Sequence, residues 1–532
     1  MKKLLLLLLL LPSTLFAADI NVYSTDSGAT QRDKVETAQA GDTVYFYPGI
    51  YDDTIFYITN SGTSGSHIKF CAQDPNDKPV FDYQRFENLN SSSDTYYPAS
   101  TWGIGSWPGG NWGAGEGAAG SSQGFGVGSN RGVFVVMQTG YIDFENLEII
   151  NARTSTNLMG GFMINAQGGD VTISGCKVTY CDVGYGQRCE GHDGEPEVVT
   201  ISNSEFGYCG YYPNRAGANG PQHIIYTMCG NLIMEYCYLH DAQTGQVMHV
   251  RNQNATFRYN WIENPYSYLL DMADIREITV EPDEQIHTYI GNIFLGERQC
   301  WGESEGCIGL NNIVVMEGHQ QDVPQTLYMY YNTFIGPANY ATRQNYFINF
   351  SGDGNQTTYS PQYHAYNNIF YNIYGPRYLR NQYTGAYRER DSQYNWLTGP
   401  SGDYAAFSAY MSNNQFGSTT DPFTASGSDD YTLDTTNGVL AIDGANTLLG
   451  SLPSYEYDGD LGGTARSSVN DIGAYDYGTT TTTTIATTTT TIATTTTTTT
   501  IATTTTTIAT TTTTATPPAA TSGITIRGIT LQ

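Results

Sequence analysis

The stretches VTISGCKV at 171–178 and VTISNSEF at 199–206 decide how this chain is read. Each alternates apolar and polar residues, then passes a small or amide residue and closes on an apolar one. The pattern returns as LIMEYCYL at 232–239, ATFRYNWI at 255–262, HTYIGNIF at 287–294, LYMYYNTF at 327–334 and YHAYNNIF at 363–370. Aligned, one column reads Cys176, Ser204, Cys237, Asn260, Asn292, Asn332 and Asn368. Two residues on, a second column reads Val178, Phe206, Leu239, Ile262, Phe294, Phe334 and Phe370. The interval varies from 23 to 40 residues, as in a solenoid whose strands are constant and whose loops are not.

Period-two alternation sends one set of side chains inward and the next outward. In a parallel coil, equivalent residues lie about 4.8 Å apart, so inward amides can hydrogen-bond along the column as a ladder. The fold expected is therefore all-β, a single-stranded right-handed parallel β-helix. Cys181 and Cys209 each fall five residues beyond the turn column on neighbouring coils, which predicts a disulfide between them. Cys300 and Cys307 flank a short loop and are expected to bridge locally. With nine cysteines, at least one thiol in a monomer stays unpaired; Cys71, Cys176 and Cys237 fit disulfides or buried thiols equally well.

Outside the coils, Lys2 and Lys3 precede eight leucines, Leu4 to Leu11, and small residues follow at Ala17 and Ala18. That order marks 1–18 as a secretory leader whose apolar run is too short to span a bilayer. The folded domain then runs over 19–478. The segment 479–516 is almost wholly Thr with Ile-Ala pairs, too uniform to build a core, and is expected to be an extended linker. The short tail 517–532 is too small to fold alone. Localisation is expected to be extracellular or at the cell surface, as a monomer with no transmembrane segment.

Fifty-one acidic residues against 23 basic leave a net charge of −28. This opposes charge-driven binding to nucleic acid or anionic lipid. An anionic glycan would need a basic strip or bridging calcium.

Before the first aligned coil, 33–38 (DKVETA) is expected to form a short capping helix over the open strand edges. Three segments follow: AGDTVYFYPGIY at 40–51, GSHIKF at 65–70 and KPVFD at 78–82. They resemble the N-terminal coils of the pectin-lyase-like superfamily, including the alginate lyase and chondroitinase B family. NDIGAYDY at 470–477 resembles a closing motif of exported bacterial β-helix proteins. The resemblance implies the fold and a polysaccharide or cell-surface glycan as partner. The scaffold itself carries lyases, hydrolases, epimerases and non-catalytic adhesins. In the lyase family, calcium-binding glutamates lead to a catalytic Lys, and the next coil presents a catalytic Arg. Here Arg251 stands where that Lys would be, the next coil reads Leu269-Leu270-Asp271-Met272, and 245–248 has no glutamates.

A second strand per coil supplies the candidate chemistry. Tyr226, His249, Asp271 and Asn349 share a column, Arg251 lies two residues beyond His249, and His223 precedes Tyr226 by three. An outward face there would collect imidazoles, a carboxylate, a phenol and a guanidinium, the groups that acid–base work on a sugar requires. His223, Tyr226, His249, Arg251 and Asp271 are accordingly the candidate catalytic residues; an ordinary polar face is the plain alternative. Trp102, Trp107 and Trp112 in a Gly-rich insertion would stack on sugar rings or fold onto the coil wall. Asp271, Asp274, Glu277, Glu281, Asp283 and Glu284 could offer oxygens to calcium, though no recognised calcium loop has their spacing. The pairs Glu303/Glu305 and Asp429/Asp430 could serve glycoside hydrolysis if a cleft set them apart correctly. Three readings fit: a carbohydrate-interacting protein that is a polysaccharide lyase or hydrolase, a non-catalytic glycan-binding or surface protein on a Thr-rich stalk, and a structural or adhesive solenoid.

Overall fold

A computed structural model describes residues 17–83 except 53, most of 131–434, Gly473 and Ala474, and the backbone of two short strands within 525–530. Among these residues the chain coils through three long sheets of 13, 10 and 12 strands. Every neighbouring pair whose register defines the coils is parallel, as Val171–Ser174 against Val198–Ser202 in the first sheet illustrates. Successive strands of one sheet belong to successive turns, so the molecule is a single-stranded parallel β-helix, as the repeat predicts.

The apolar column stacks in register: Val178 pairs with Phe206, Phe206 with Leu239, Leu239 with Ile262 and Ile262 with Phe294. All are buried. Phe294, Phe334 and Phe370 stack ring on ring at 4.6 and 5.1 Å. Each coil thus buries apolar surface only by meeting its neighbours, which is why one coil alone would not fold.

The amide column forms the expected ladder. Asn292 Oδ1 accepts from the Asn260 N–H at 2.9 Å, Asn332 Oδ1 from Asn292 at 3.0 Å, and Asn368 Oδ1 from Asn332 at 2.8 Å. The structure adds Asn395, whose Oδ1 accepts from the Asn368 N–H at 2.8 Å. The residue before each rung is left-handed: Tyr259 at φ 57°, Gly291 at 62°, Tyr331 at 56° and Asn367 at 58°. A left-handed tyrosine costs about 1–2 kcal/mol. Each rung makes several buried hydrogen bonds worth about 1 kcal/mol apiece, enough to hold the turn.

An opposite corner carries a second polar column that repeat alignment misses. Gln325 Nε2 donates to Gln285 Oε1 at 3.1 Å, Gln285 Nε2 to the Asn252 carbonyl at 3.0 Å, and Asn252 Nδ2 to Gln187 Oε1 at 3.3 Å.

Three expectations are corrected. The capping helix, α1, spans Gly28–Glu36 and ends at Thr37, so it starts earlier than 33–38. Ser27 sets its start by accepting from the Thr30 N–H, and Gln31 and Val35 face inward. Cys181 and Cys209 are neighbours across coils but stand as buried thiols rather than a disulfide, each turning its Sγ toward a carbonyl of its own strand. Cys71, Cys176 and Cys237 are also free and buried, while Cys300 and Cys307 lie outside the described residues. The third correction concerns the candidate strip and follows below.

At the far end, the hairpin Phe423–Ala425 with Asp430–Leu433 folds over the outer face of the third sheet. Phe423, Tyr431 and Leu433 join Trp261, Ile293, Ile369 and Trp396 in a second apolar cluster. The closing motif pins there too. The Gly473 N–H reaches the Asn367 carbonyl at 2.8 Å and the Ala474 N–H reaches Thr333 Oγ1 at 3.0 Å.

Candidate functional site

The second sheet carries the candidate residues on the strands Ile225–Thr227, Met248–Val250 and Leu270–Ala273. Their register is the one the alignment expects: Tyr226 opposite His249, and His249 opposite Asp271. Asn349 shares the column but does not adjoin Asp271, because Val315 intervenes. Ile225, Met248, Val250, Leu270 and Met272 alternate with this set and belong to the core.

The strip is not the exposed surface that outward parity suggests. His223, His249, Arg251 and Asp271 are at most 7% exposed, and Tyr226 is half-buried. Alternation fixes which way a side chain leaves the strand, whereas cover from other segments is decided by the tertiary fold.

Inside this buried group the hydrogen bonds set the protonation pattern. Arg251 Nε lies 2.9 Å from His249 Nε2, and a guanidinium can only donate, so Nε2 is the accepting nitrogen. The His249 proton is therefore on Nδ1, which donates to Asp271 Oδ2 at 2.6 Å. Asp271 Oδ2 also accepts from Gln246 Nε2 at 3.3 Å. Asp271, His249 and Arg251 form a continuous chain of carboxylate, neutral imidazole and cation.

His223 and Tyr226 pack against it. The rings of His223 and His249 stack at 4.8 Å, Tyr226 and His249 at 4.9 Å, and His223 and Tyr226 at 5.4 Å. His223 Nδ1 accepts from the Gln246 N–H at 3.2 Å, which leaves its proton on Nε2. Burial first, then the proximity of His249 and Arg251, hold His223 well below the usual imidazole pKa, so it is neutral. Gln246, a residue sequence reasoning did not single out, thus touches both His223 and Asp271. Its signal was faint, a polar residue one position before the apolar Val247.

A second titratable group lies on the third sheet and was also missed. His240 Nδ1 contacts Asp241 Oδ2 at 2.7 Å and its Nε2 contacts Glu205 Oε1 at 3.4 Å. Burial opposes the charge on His240, but the bonds to Asp241 and Glu205 outweigh it and raise the pKa to about 9. Gly207 makes the room, since a β-carbon there would collide with the His240 ring.

Trp102, Trp107 and Trp112 lie outside the described residues, as do Asp274, Glu277, Glu281, Asp283, Glu303, Glu305 and Asp429. Glu284 accepts from the Thr326 hydroxyl. Among the described residues, no group of three or more His, Cys, Asp or Glu is placed to hold a metal ion. No helix among them is long and apolar enough to cross a membrane.

No protein-family model matches the chain, and no curated protein matches it. Solved structures similar to it include a pectate lyase, 13% identical, with a TM-score of 0.40 over 86% of this chain and 96% of that one. A family 6 polysaccharide lyase from Pseudopedobacter saltans is 11% identical, with a TM-score of 0.37 over 75% of this chain and 91% of that one. An alginate lyase from a Paenibacillus strain is 11% identical, with a TM-score of 0.32 over 71% and 98%. At these values the coiled architecture rests on the strand pairing of this chain, and the chemistry on its own side chains.

Proposed function

We propose that this protein is a secreted, carbohydrate-active β-helix that cleaves a uronate-containing polysaccharide by β-elimination at His249. The observation that carries this reading is the chain Asp271–His249–Arg251, with Nδ1 protonated and Nε2 facing the guanidinium.

Arg251 is the natural partner for a sugar carboxylate, since its fork matches two oxygens. As the guanidinium turns from His249 Nε2 to that carboxylate, the Nε2 lone pair is released. His249 then takes the proton α to the carboxylate, with Asp271 stabilising the imidazolium that forms. The electron pair left behind becomes the ring double bond, the C–O bond to the next sugar breaks, and the Tyr226 hydroxyl protonates the leaving oxygen. Arg251 supplies local positive charge that the net −28 of the chain does not. Hydrolysis fits less well, because it calls for a carboxylate pair and Asp271 is already committed to His249.

A non-catalytic glycan-binding reading has one observation in its favour: both ring nitrogens of His249 are occupied in a buried setting. The test is to incubate the secreted protein with pectic, alginate and neutral polysaccharides while following unsaturated-product absorbance, reducing ends and binding. Unsaturated product lost in His249→Ala supports elimination. Reducing ends without it would replace elimination by hydrolysis, and binding without either would leave the non-catalytic reading.

A further inference from the structure

Two polar side chains beside His249 each use one end in a hydrogen bond, and their other ends are of opposite kind. Gln246 Oε1 is buried with no hydrogen bond, although Gln246 Nε2 is engaged by Asp271. His223 uses Nδ1 to accept from the Gln246 N–H, so its proton is on Nε2. Both residues are more than nine-tenths buried, at 8% and 5% exposure. Gln246 Oε1, buried without a partner, is left for a donor from outside the chain, and it lies on the residue whose N–H bonds His223.

We propose that His223 Nε2–H and Gln246 Oε1 form a donor–acceptor pair that reads one secondary hydroxyl of the sugar ring bound against His249. This rests on the preceding reading that the centre acts on a polysaccharide. The chemistry selects the ligand group. A carboxylate offers only acceptors and would satisfy His223 while leaving Gln246 unmet. An ammonium offers only donors and would do the reverse. A hydroxyl donates one hydrogen and accepts another, which matches both atoms at once. The neutral state of His223 fits this role: held well below the usual imidazole pKa by burial, it acts as a fixed donor and not as a proton carrier. His223 is therefore a binding and specificity residue instead of the catalytic group suggested by the sequence, while its stacked ring keeps His249 in place.

Water shares the duality of a hydroxyl, so the test must read the sugar itself. The probes are trimers of galacturonate and of mannuronate, each with its 2-deoxy and 3-deoxy forms, titrated into the intact protein by calorimetry. The wild type is expected to bind one parent trimer, and to bind one of its deoxy forms on the order of tenfold to a hundredfold more weakly. His223→Phe, which keeps a stacking ring, and Gln246→Met are expected to bind parent and deoxy forms alike. If the wild type binds a parent trimer and both its deoxy forms equally, the pair is not a hydroxyl reader and this inference fails while the polysaccharide reading stands. Binding of no trimer would overturn both. The wild-type comparison needs no variant, so a variant that fails to fold leaves the test intact.

Discussion

Arg251 places Nε 2.9 Å from His249 Nε2, so a permanent cation occupies the nitrogen that an active base would need free. On the proposed reading the contact holds the imidazole until a stronger acceptor for the guanidinium, such as a sugar carboxylate, releases it. Replacing Asp271 by Asn removes the charge that stabilises the imidazolium while keeping the shape. Turnover of an acidic polysaccharide is expected to fall roughly a hundredfold or more with little change in KM. A proportionate rise in KM with kcat unchanged would instead give Asp271 a binding role.

The asparagine ladder makes a stability prediction. Asn292→Ala removes the acceptor of the Asn260 N–H and the donor to the Phe257 carbonyl, both buried. The expected loss is about 3 kcal/mol, read as a lower thermal midpoint. The exposed rung Asn254, bonded to Asn231 Oδ1 on the first sheet, provides the control, where Ala should cost about 0.5 kcal/mol or less.

His240 should give stability a pH dependence. Its folded pKa, about 9, lies above the ordinary value of 6.5, so the folded state binds the proton more tightly. The stabilisation is full below pH 6.5 and disappears as pH rises to about 9, an effect on the order of 3 kcal/mol. His287 works in the opposite direction: burial lowers its pKa to about 4, so stability falls as acid takes the pH from 6.5 through 4. Melting curves of wild type and His240→Gln across pH 6 to 10 check the first effect, since the variant should lose the alkaline slope.

The buried cysteines should be chemically silent in the folded protein. Burial raises Cys71 and Cys176 to about 11 and Cys237 to about 12, and it pushes Cys181 well above the usual thiol range. Alkylation at pH 8 is expected to spare these sites until denaturant is added. A cross-linked 181–209 peptide in a non-reduced digest would restore the bridge that the cysteine spacing suggested.

The ladder and the candidate column differ in how they could be read from the chain. Asn260, Asn292, Asn332 and Asn368 repeat one residue type in one role, so alignment alone reveals them. Tyr226, His249 and Asp271 repeat a position without repeating chemistry; register places them together, but nothing local says what they do there. Gln246 was barely legible because its two contacts, to His223 and Asp271, run across different coils.

Period-two alternation and the recurring amide turn were sufficient to determine the coil, its inner columns and the pairing of His249 with its neighbours, because backbone geometry translates sequence position directly into strand face. The tertiary structure alone decided that the strip is buried, that Cys181 and Cys209 remain thiols, and which nitrogen of His223 and of His249 carries the proton. Those outcomes depend on distances of a few ångströms between side chains on separate turns, and variable loops keep such distances out of the linear pattern.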